Sequence, residues 1–263
     1  MDLGIRGRRA LVGGASSGLG LAIAERLAEE GCSLAISSRR AGVLGELAAD
    51  IARRHRVPVT ALEADFAEPG AAASLAVRAV EALGGVDILI LNAGGPPTVD
   101  TTATDPAGWQ GALQLLVLTP IDLATRLLPA MRAQGWGRIV AVGSYAARQP
   151  IQDLAYSNAG RSALMAWLKT TARVVAADGV TMNGALPGRH ATARIDTLDR
   201  VTAERTGRSL EQVRADHLAS IPARRYGEPD EFASYVAYLC GMPAAYQTGT
   251  FTVIDGGLVA GFP

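Results

Sequence analysis

The sequence predicts an α/β fold, a doubly wound parallel sheet with helices on both faces. Short apolar segments alternate with amphipathic helical segments along the chain, a pattern typical of strand–helix–strand units. The segment VDILILNAG, residues 86–94, is continuously apolar, as expected for a strand that helices cover on both faces. No linker, repeat or low-complexity segment interrupts the alternation, so one domain over residues 1–263 is expected.

Each element follows from its own pattern, taken in chain order. The predicted strands are residues 8–14, 32–38, 58–65, 86–94, 137–144, 180–188 and 249–257. The first helix, residues 18–31, repeats apolar residues at helical spacing and ends at Gly31, which suits a helix stop. Further helices are expected through Val43 to Ile51, after Pro69, and over 107–134, 154–176, 191–222 and 228–240.

Composition excludes several classes of function. The formal net charge is +0 and no basic run occurs, so binding to nucleic acid through charge is not expected. No apolar run approaches the roughly 20 residues of a membrane span, and the start lacks the apolar region of a signal peptide. Cys32 and Cys240 lie in apolar segments without metal spacing, and core packing explains both. We expect a soluble, cytoplasmic protein without a metal site.

A glycine-rich loop, GGASSGLG, lies between the first strand and the first helix. Its glycines Gly14, Gly18 and Gly20 allow a tight turn and a close approach to a pyrophosphate, whose charge the helix N-terminus favours. Glycines also serve ordinary turns, but the position at the carboxyl end of the first strand favours a nucleotide site.

The order of motifs resembles that of the short-chain dehydrogenase/reductase family. After the glycine loop come Asp65, the NAG of residues 92–94, Ser144, Tyr156, the PGRHAT of residues 187–192 and a closing IDGG. These motifs cover nearly the whole chain and look most like a bacterial subgroup related to β-ketoacyl carrier-protein reductases, whose catalytic motifs are often imperfect. The resemblance implies a Rossmann-type sheet and a nicotinamide dinucleotide as cofactor.

The resemblance also implies which residues hold the cofactor. The residues expected to bind it are Gly14, Ser16, Ser17, Gly18, Leu19, Gly20, Asp65, Phe66, Asn92, Ala93, Gly94, Pro187, Gly188 and Thr192. Asp65 is equally suited to cap a helix N-terminus, and Thr192 either caps a helix or contacts the carboxamide of the nicotinamide.

The end of the second strand predicts NADP(H) as the cofactor. An acid at this point usually binds the ribose hydroxyl of NAD, but the chain has Ser38 and Arg39. Arg39 can bind a 2′-phosphate bidentately and Ser38 can donate a further hydrogen bond. Alternatively, Arg39 and Arg40 are solvated loop residues.

The predicted catalytic pair is Ser144 and Tyr156, which in the family hydrogen-bond the substrate carbonyl. They are 12 positions apart, about one fewer than is common, and Gly160 takes the place of the usual lysine one helical turn later. A lysine there would lower the tyrosine pKa from its ordinary ~10. The family's asparagine on the preceding helix falls on Leu116.

Two side chains are possible auxiliaries in place of that lysine. Arg161 is rotated by about 100° from position 160, so it is expected at the surface or at a subunit interface unless its length brings it to the cofactor. His190 either relays protons or only packs over the cofactor. The one lysine of the chain, Lys169, lies on the opposite face of the helix. His55 and His217 are expected in solvent.

Residues 191–222 are expected to form a helical lid over a small-molecule substrate. Three functions remain open: an NADP(H)-dependent carbonyl reductase or alcohol dehydrogenase of atypical activity, acting on a small organic or acyl substrate; a dehydratase, isomerase or cyclase on the same fold; and a catalytically weak nucleotide-binding protein. The family resemblance implies a homotetramer or homodimer.

Overall fold

A seven-stranded parallel sheet forms the centre of the molecule. The computed structural model describes residues 1–261. The strands are β1 Arg9–Val12, β2 Ser33–Ser38, β3 Val59–Glu63, β4 Ile88–Leu91, β5 Gly137–Val142, β6 Val180–Pro187 and β7 Phe251–Ile254. They lie in the order β3-β2-β1-β4-β5-β6-β7, and every neighbouring pair is parallel. The predicted fold class is confirmed.

Helices cover both faces of this sheet. They are α1 Gly18–Glu29, α2 Ala41–His55, α3 Ala71–Leu83, α4 Pro106–Leu113, α5 Thr119–Ala133, α6 Ala155–Val175, α7 Ala193–Thr206, α8 Leu210–Ser220 and α9 Pro229–Cys240. One core layer lies under α1, α2 and α9 and the other under α3, α5 and α6. Successive residues of β1 alternate between the layers, since Ala10 and Val12 belong to the first and Leu11 to the second.

The predicted helix over 107–134 is interrupted. A π-helical turn, Gln114–Leu118, separates α4 from α5, and such turns are frequent at functional sites. By length and composition alone the stretch Pro106–Ala133 could cross a membrane. However, Leu123 and Leu127 of α5 are buried in the core layer that α3 and α6 also cover. A core helix can be as long and apolar as a membrane-spanning helix, and α5 packs as a core helix.

The strand order reverses between β1 and β4, because β2 and β3 extend to one side of β1 and β4 to β7 to the other. In open α/β sheets the ligand crevice lies at the carboxyl ends of the strands at this point. The Asn92 side chain joins the two strand ends here by donating from Nδ2 to the carbonyls of Gly13, at 3.1 Å, and Gly14, at 3.3 Å.

The lid helices α7 and α8 are tied to the loop after β6 by a buried carboxylate. Asp199 of α7 is 0% exposed. Its Oδ1 is 3.0 Å from Arg189 Nη1 and 2.8 Å from His217 Nδ1, and its Oδ2 accepts from Tyr226 at 2.9 Å. Burial and the neighbouring Asp199 charge raise the pKa of Tyr226 to about 12. The Asp199 carboxylate therefore connects α7 and α8 to two loops beside the sheet.

His217 is part of this cluster and not solvated, contrary to the expectation from its polar helix. Its Nε2 lies 3.1 Å from Arg189 Nη2, an obligate donor. A neutral ring accepts from Arg189 at Nε2, while Nδ1 lies close to the Asp199 carboxylate without a well-aligned hydrogen bond. Burial, reinforced by the Arg189 charge, lowers the pKa of His217. Burial likewise lowers the pKa of His190, which packs edge-on against Phe232 at 5.3 Å between ring centroids.

Replacing Asp199 by Asn should loosen the lid. The neutral amide leaves the partly buried Arg189 without its counter-charge, so we expect a loss on the order of 2 kcal/mol in the free energy of unfolding and faster proteolysis within α7 and α8. Urea titration and limited trypsin digestion measure the two effects. The control is Asp196→Asn on the same helix, whose exposed ion pair with Arg214 should contribute below about 1 kcal/mol. Equal losses in both variants would contradict this role.

Acidification should destabilise the protein through the buried His190 and the half-buried His217. A histidine with a lowered pKa binds fewer protons folded than unfolded, so its contribution is complete above the unfolded pKa of about 6.5 and is lost as pH falls from there toward the folded pKa. Each histidine contributes a slope of at most about 1.4 kcal/mol per pH unit. Urea unfolding between about pH 5 and 7.5 should show a shallower slope for His217→Gln, while His55→Gln on α2 should match wild type. An unchanged slope in His217→Gln would rule out its buried neutral state.

Candidate functional site

A cavity of about 790 Å³ opens at the carboxyl ends of the central strands. Gly14 after β1, Asn92 after β4, Ser144 after β5 and Pro187 at the end of β6 all line it. The lid helix α7 covers the cavity through residues from Ala193 onward. Both the glycine loop and the predicted catalytic serine therefore face one enclosed space.

The backbone of the glycine loop has a shape that only glycine permits. Gly14 and Gly18 have φ angles of +58° and +57°, in the left-handed region that favours glycine. A Cβ at Gly20 would lie 2.2 Å from the Gly14 carbonyl oxygen and 2.5 Å from Asn92 Nδ2. Even one added carbon would fill the space in which this loop turns into α1.

The N-terminus of α1 is left open toward the cavity. Its N-cap, Ser17, makes no side-chain cap hydrogen bond, and the first turn carries no acidic residue. The first residues of the helix, Gly18, Leu19 and Gly20, line the cavity. The free N–H groups and the helix dipole suit a phosphate, so these residues fit the diphosphate of a dinucleotide.

Arg40 is a contributor to the loop that sequence reasoning missed. Its guanidinium donates to Ser16 Oγ at 2.8 Å and to Ser17 Oγ at 2.8 Å, which joins the end of β2 to the glycine loop. The Ser38 hydroxyl is buried and accepts from the Arg40 backbone N–H at 3.1 Å, so its own proton is free to be donated. Arg39 is exposed at the same strand end. The interpretation of both arginines as solvated loop residues is thus wrong for Arg40.

Neither Asp65 nor Thr192 caps a helix through its side chain, although Thr192 is the N-cap residue of α7. The N-cap of α3 is Gly70, and the Asp65 carboxylate instead accepts from the Ala67 N–H at 3.0 Å in the turn before it. Thr192 occupies the N-cap position of α7 without a side-chain cap hydrogen bond. Its methyl carbon is 3.5 Å from the place where a Cβ on Gly18 would lie, so the start of the lid reaches across the glycine loop.

The remaining cofactor candidates follow the expected strand ends. Ala93 and Gly94 after β4 and Gly188 after β6 line the cavity. Phe66 is buried beneath the loop, with its ring 3.1 Å from a Cβ position on Gly13. Phe66 therefore supports the loop from below.

Tyr156 does not face the cavity, which corrects the predicted catalytic pair. Its side chain, 5% exposed, points toward the start of α4. The hydroxyl accepts from the Asp105 N–H at 3.1 Å, and the ring packs edge-on against Trp109 at 4.8 Å between centroids. A Cβ on Gly108 would lie 2.2 Å from the phenol oxygen, so α4 has a gap that fits this hydroxyl.

The next residue along the helix, Ser157, lines the cavity together with Arg161. The Arg161 Nε donates to Ser157 Oγ at 3.3 Å, and its Nη1 donates to the carbonyls of Val142 at 2.7 Å and Gly143 at 3.0 Å. Residues 157 and 161 are four apart and share one face of α6. The expectation that Arg161 points to the surface or to a subunit interface is therefore wrong.

Gly160 lies on the neighbouring face, where no lysine would fit. A Cβ at this position would lie 3.0 Å from Leu116 Cδ1 and 3.1 Å from Leu116 Cβ, in the packing between α6 and the π-helical turn. One residue of register separates the expected face from the observed one. The spacing contained the signal, because Ser157 lies 13 positions after Ser144 and Tyr156 only 12.

Both serine hydroxyls keep a proton for a ligand. Ser144 Oγ accepts from the Ala146 N–H at 3.1 Å, and Ser157 Oγ accepts from Arg161. Burial, with a smaller contribution from the charge of Arg194, lowers the pKa of Arg161 to about 10, so the guanidinium stays positive at neutral pH. Each hydroxyl can donate a hydrogen bond into the cavity, and the Arg161 charge can stabilise negative charge there.

His190 and Tyr145 are two further ionisable residues of the lining. His190 is buried against Phe232, and its Nδ1 has no hydrogen-bond partner within residues 1–261. Tyr145 lines the cavity; burial raises its pKa, against the opposing charge of Arg189. Lys169 lies outside the cavity lining and donates to the Gly249 carbonyl at 2.7 Å.

Comparison with known proteins agrees with this architecture. Residues 14–259 match the family model described as Enoyl-(Acyl carrier protein) reductase. The chain is 32% identical to Dehydrogenase/reductase SDR family member 4 of Bos taurus, over 94% of this chain and 86% of the relative. It is 30% identical to the 3-oxoacyl-(acyl-carrier-protein) reductase of Vibrio cholerae, over 97% and 99% respectively.

A solved structure shows the same fold over the whole length. The L-sorbose reductase of Gluconobacter frateurii, complexed with NADPH and L-sorbose, superposes with a TM-score of 0.94 at 31% identity and 100% coverage of both chains. The family model and these full-length similarities show that the chain belongs to the short-chain dehydrogenase/reductase family, a family of oxidoreductases.

Proposed function

We propose that this protein is an NADP(H)-dependent oxidoreductase that reduces the carbonyl, or oxidises the alcohol, of a small organic or acyl substrate. The observation that carries the proposal is that one cavity contains both an uncapped helix N-terminus with its glycine loop and a pair of hydroxyls beside a guanidinium. The first suits a dinucleotide and the second suits a carbonyl oxygen.

The preference for NADP(H) has support from charge and from relatives. Ser38, Arg39 and Arg40 occupy the end of β2, where an acid would repel a 2′-phosphate. The similar L-sorbose reductase was solved in complex with NADPH. Arg39 is free to bind the 2′-phosphate, while Arg40 holds the loop through Ser16 and Ser17.

The chain's own residues bind and polarise the carbonyl. Bound NADPH supplies the hydride that the carbonyl carbon receives. Ser144 and Ser157 donate their free hydroxyl protons to the carbonyl oxygen, and the Arg161 charge stabilises the negative charge that develops there. Ser157 gives its proton to the oxygen as the alcohol forms, and Arg161 stabilises the serine oxygen until a solvent proton replaces the one transferred.

This set differs from the tyrosine and lysine that the family resemblance implies, so the activity is atypical. A serine hydroxyl is a weaker acid than a phenol, and an arginine, unlike a lysine, holds its charge in a planar group with several donors. Turnover should therefore depend on Ser157 and Arg161, with Tyr156 as a packing residue between α6 and α4.

The assembly and cellular location form part of the proposal. Leu113, Leu118 and Val174 are large apolar residues exposed on α4, the π-helical turn and α6. Together they favour a homodimer or homotetramer through these helices. A small-molecule substrate and a cytoplasmic location are part of the proposal.

Removing the Arg39 side chain should weaken NADPH binding selectively. Charge-assisted hydrogen bonds to a phosphate are worth about 1.5–3 kcal/mol, so Arg39→Ala should raise the Kd for NADPH about tenfold or more and leave the Kd for NADH unchanged. Fluorescence titration of the reduced nicotinamide measures both constants. Arg53→Ala, on the exposed face of α2, is the control. Tighter binding of NADH than NADPH to wild type would refute the cofactor assignment.

Truncating Ser157 should reduce turnover far more than altering Tyr156. Loss of one preorganised donor to a developing oxyanion costs about 10²–10³ in kcat, so Ser157→Ala should fall by that factor while Tyr156→Phe stays within about threefold of wild type. The assay follows NADPH absorbance against a panel of ketones. Ser162→Ala, an exposed hydroxyl on the same helix, is the matched control.

Other outcomes of this assay identify other chemistry. If Tyr156→Phe loses activity and Ser157→Ala does not, the Tyr156 phenol is the proton donor. If the largest loss occurs in Tyr145→Phe, Tyr145 is the proton donor. Product formation without net cofactor change would replace the proposal by a dehydratase, isomerase or cyclase. Tight NADPH binding without turnover of any ketone would leave a nucleotide-binding protein.

A further inference from the structure

The cavity contains four arginines, and they differ in their charge partners. Arg189 is paired with Asp199 at 3.0 Å, and Arg205 is paired with Asp153. Arg161 and Arg194 have no carboxylate within 4 Å among the described residues. The two unmatched cations therefore leave a positive region inside the cavity.

Arg161 is the deeper of the two unmatched cations. Its Nε and Nη1 are used by Ser157 and by the carbonyls of Val142 and Gly143. Its Nη2 has no hydrogen-bond acceptor among residues 1–261. This nitrogen is not fully enclosed, so it is accessible. Because Arg161 lines the cavity, a ligand there can accept the protons of Nη2.

Arg194 approaches from the lid. It lies in the first turn of α7 and donates from Nη2 to the Pro96 carbonyl at 3.0 Å. That is its one hydrogen bond within the described chain, so most of its donors are free for a ligand. Burial lowers the pKa of Arg194, and its charge contributes to the lowered pKa of Arg161. Both guanidinium groups line the same cavity.

The acidic lining does not compensate for them. Asp153 is engaged by Arg205. The exposed Asp100 carboxylate accepts from the Thr102 N–H at 2.8 Å and from Thr102 Oγ1 at 2.7 Å. Arg161 is a half-buried cation without a counter-charge, which is costly, whereas Arg194 is exposed on the lid. An anionic ligand that accepts from both would remove the cost at Arg161.

We propose that Arg161 and Arg194 bind a carboxylate of the substrate, so that the preferred substrates are 2-oxo or 3-oxo acids and the corresponding hydroxy acids. This inference rests on the proposed oxidoreductase function. The position of the carbonyl relative to the carboxylate follows from Arg161, whose Nε is 3.3 Å from Ser157 Oγ. A carboxylate bound to Nη2 of the same planar group leaves room for one or two carbons between it and the carbonyl. The carbonyl oxygen then accepts the hydrogen bond that Ser157 donates.

The diphosphate of the cofactor is the other source of anionic oxygens in this cavity. Arg194 starts two residues after Thr192, which lies over the glycine loop. A role for Arg194 toward the cofactor would change cofactor binding and leave the choice between charged and neutral substrates unaffected. Cofactor affinity and substrate discrimination must therefore be measured in the same variants.

The test compares charged and neutral substrates of matched size. Acetoacetate is assayed against acetoacetamide, and 2-oxobutanoate against 2-oxobutanamide, with NADPH in wild type, Arg194→Met and Arg200→Met. We expect wild type to favour the acids by about tenfold or more in kcat/KM. Arg194→Met should abolish that preference while the Kd for NADPH and the turnover of the amides stay within about threefold of wild type. Arg200→Met, whose arginine is exposed on the same helix outside the cavity lining, should keep the preference.

Binding without turnover separates this inference from the proposed function. Calorimetric titration of the enzyme–NADP⁺ complex with acetoacetate or 2-oxobutanoate should show binding that the amides lack and that Arg194→Met loses. If the acids bind in this way but no NADPH is oxidised, the oxidoreductase proposal fails and the carboxylate site stands.

Three results would overturn the carboxylate site. One is a wild-type enzyme that turns over acids and amides equally well. Another is an acid preference that persists in Arg194→Met. The last is a rise of about tenfold in the Kd for NADPH in Arg194→Met with discrimination intact, which would assign this arginine to the phosphates of the cofactor.

Discussion

The contact between α6 and the π-helical turn determines which side chains reach the cavity. Gly160 approaches so near to Leu116 that a Cβ would lie 3.0 Å from a leucine methyl, and the Tyr156 hydroxyl lies where any side chain on Gly108 would be. These two contacts, one turn apart on the same face of α6, fix the rotation of the helix about its axis. Since each residue adds about 100°, the adjacent face carries Ser157 and Arg161 to the end of β5. The chemistry of the cavity depends on this packing.

Because of that rotation, the cavity is lined by a serine and an arginine, Ser157 and Arg161, in place of the tyrosine and lysine that the family resemblance implies. A phenol beside an ammonium group is a good proton donor because the positive field lowers a pKa of ~10. In a serine–guanidinium pair, the hydroxyl is a weaker acid than a phenol. The cation is also different, because its hydrogen-bond donors are spread over a plane. Two nitrogens of Arg161, Nε and Nη1, donate hydrogen bonds to Ser157 and to the carbonyls at the end of β5. Arg161 therefore both supports the serine and places a fixed charge beside it. In the proposed reaction this charge contributes more to catalysis than proton transfer does.

The fold was predictable from the sequence because it rests on many weak signals that agree. Seven apolar segments, the glycine loop and the motif order each point to the parallel sheet, and an error in one would not change the topology. The site rests on single residues, and there a difference of one position decides that Ser157, and not Tyr156, lines the cavity. The spacing from Ser144 favoured Ser157, but the more familiar side chain favoured Tyr156. Only the packing against Leu116 and Gly108 decides between them, and no local pattern in α6 reveals a contact with a distant turn.

Charged residues also connect the lid to the loop after β6. Arg189 precedes His190 of the cavity and is held by Asp199 of the lid, so the loop that meets the substrate and the helices that cover it share one buried carboxylate. Arg194, on the first turn of the same helix, is left without such a partner within the described chain. Helix α7 is anchored by ion pairs at Asp196, Asp199 and Arg205. Because it also carries Arg194 over the cavity without a carboxylate partner in the described chain, it is stabilised further when an anion enters. Binding should therefore favour the closed lid in proportion to the difference in affinity between the closed and open states.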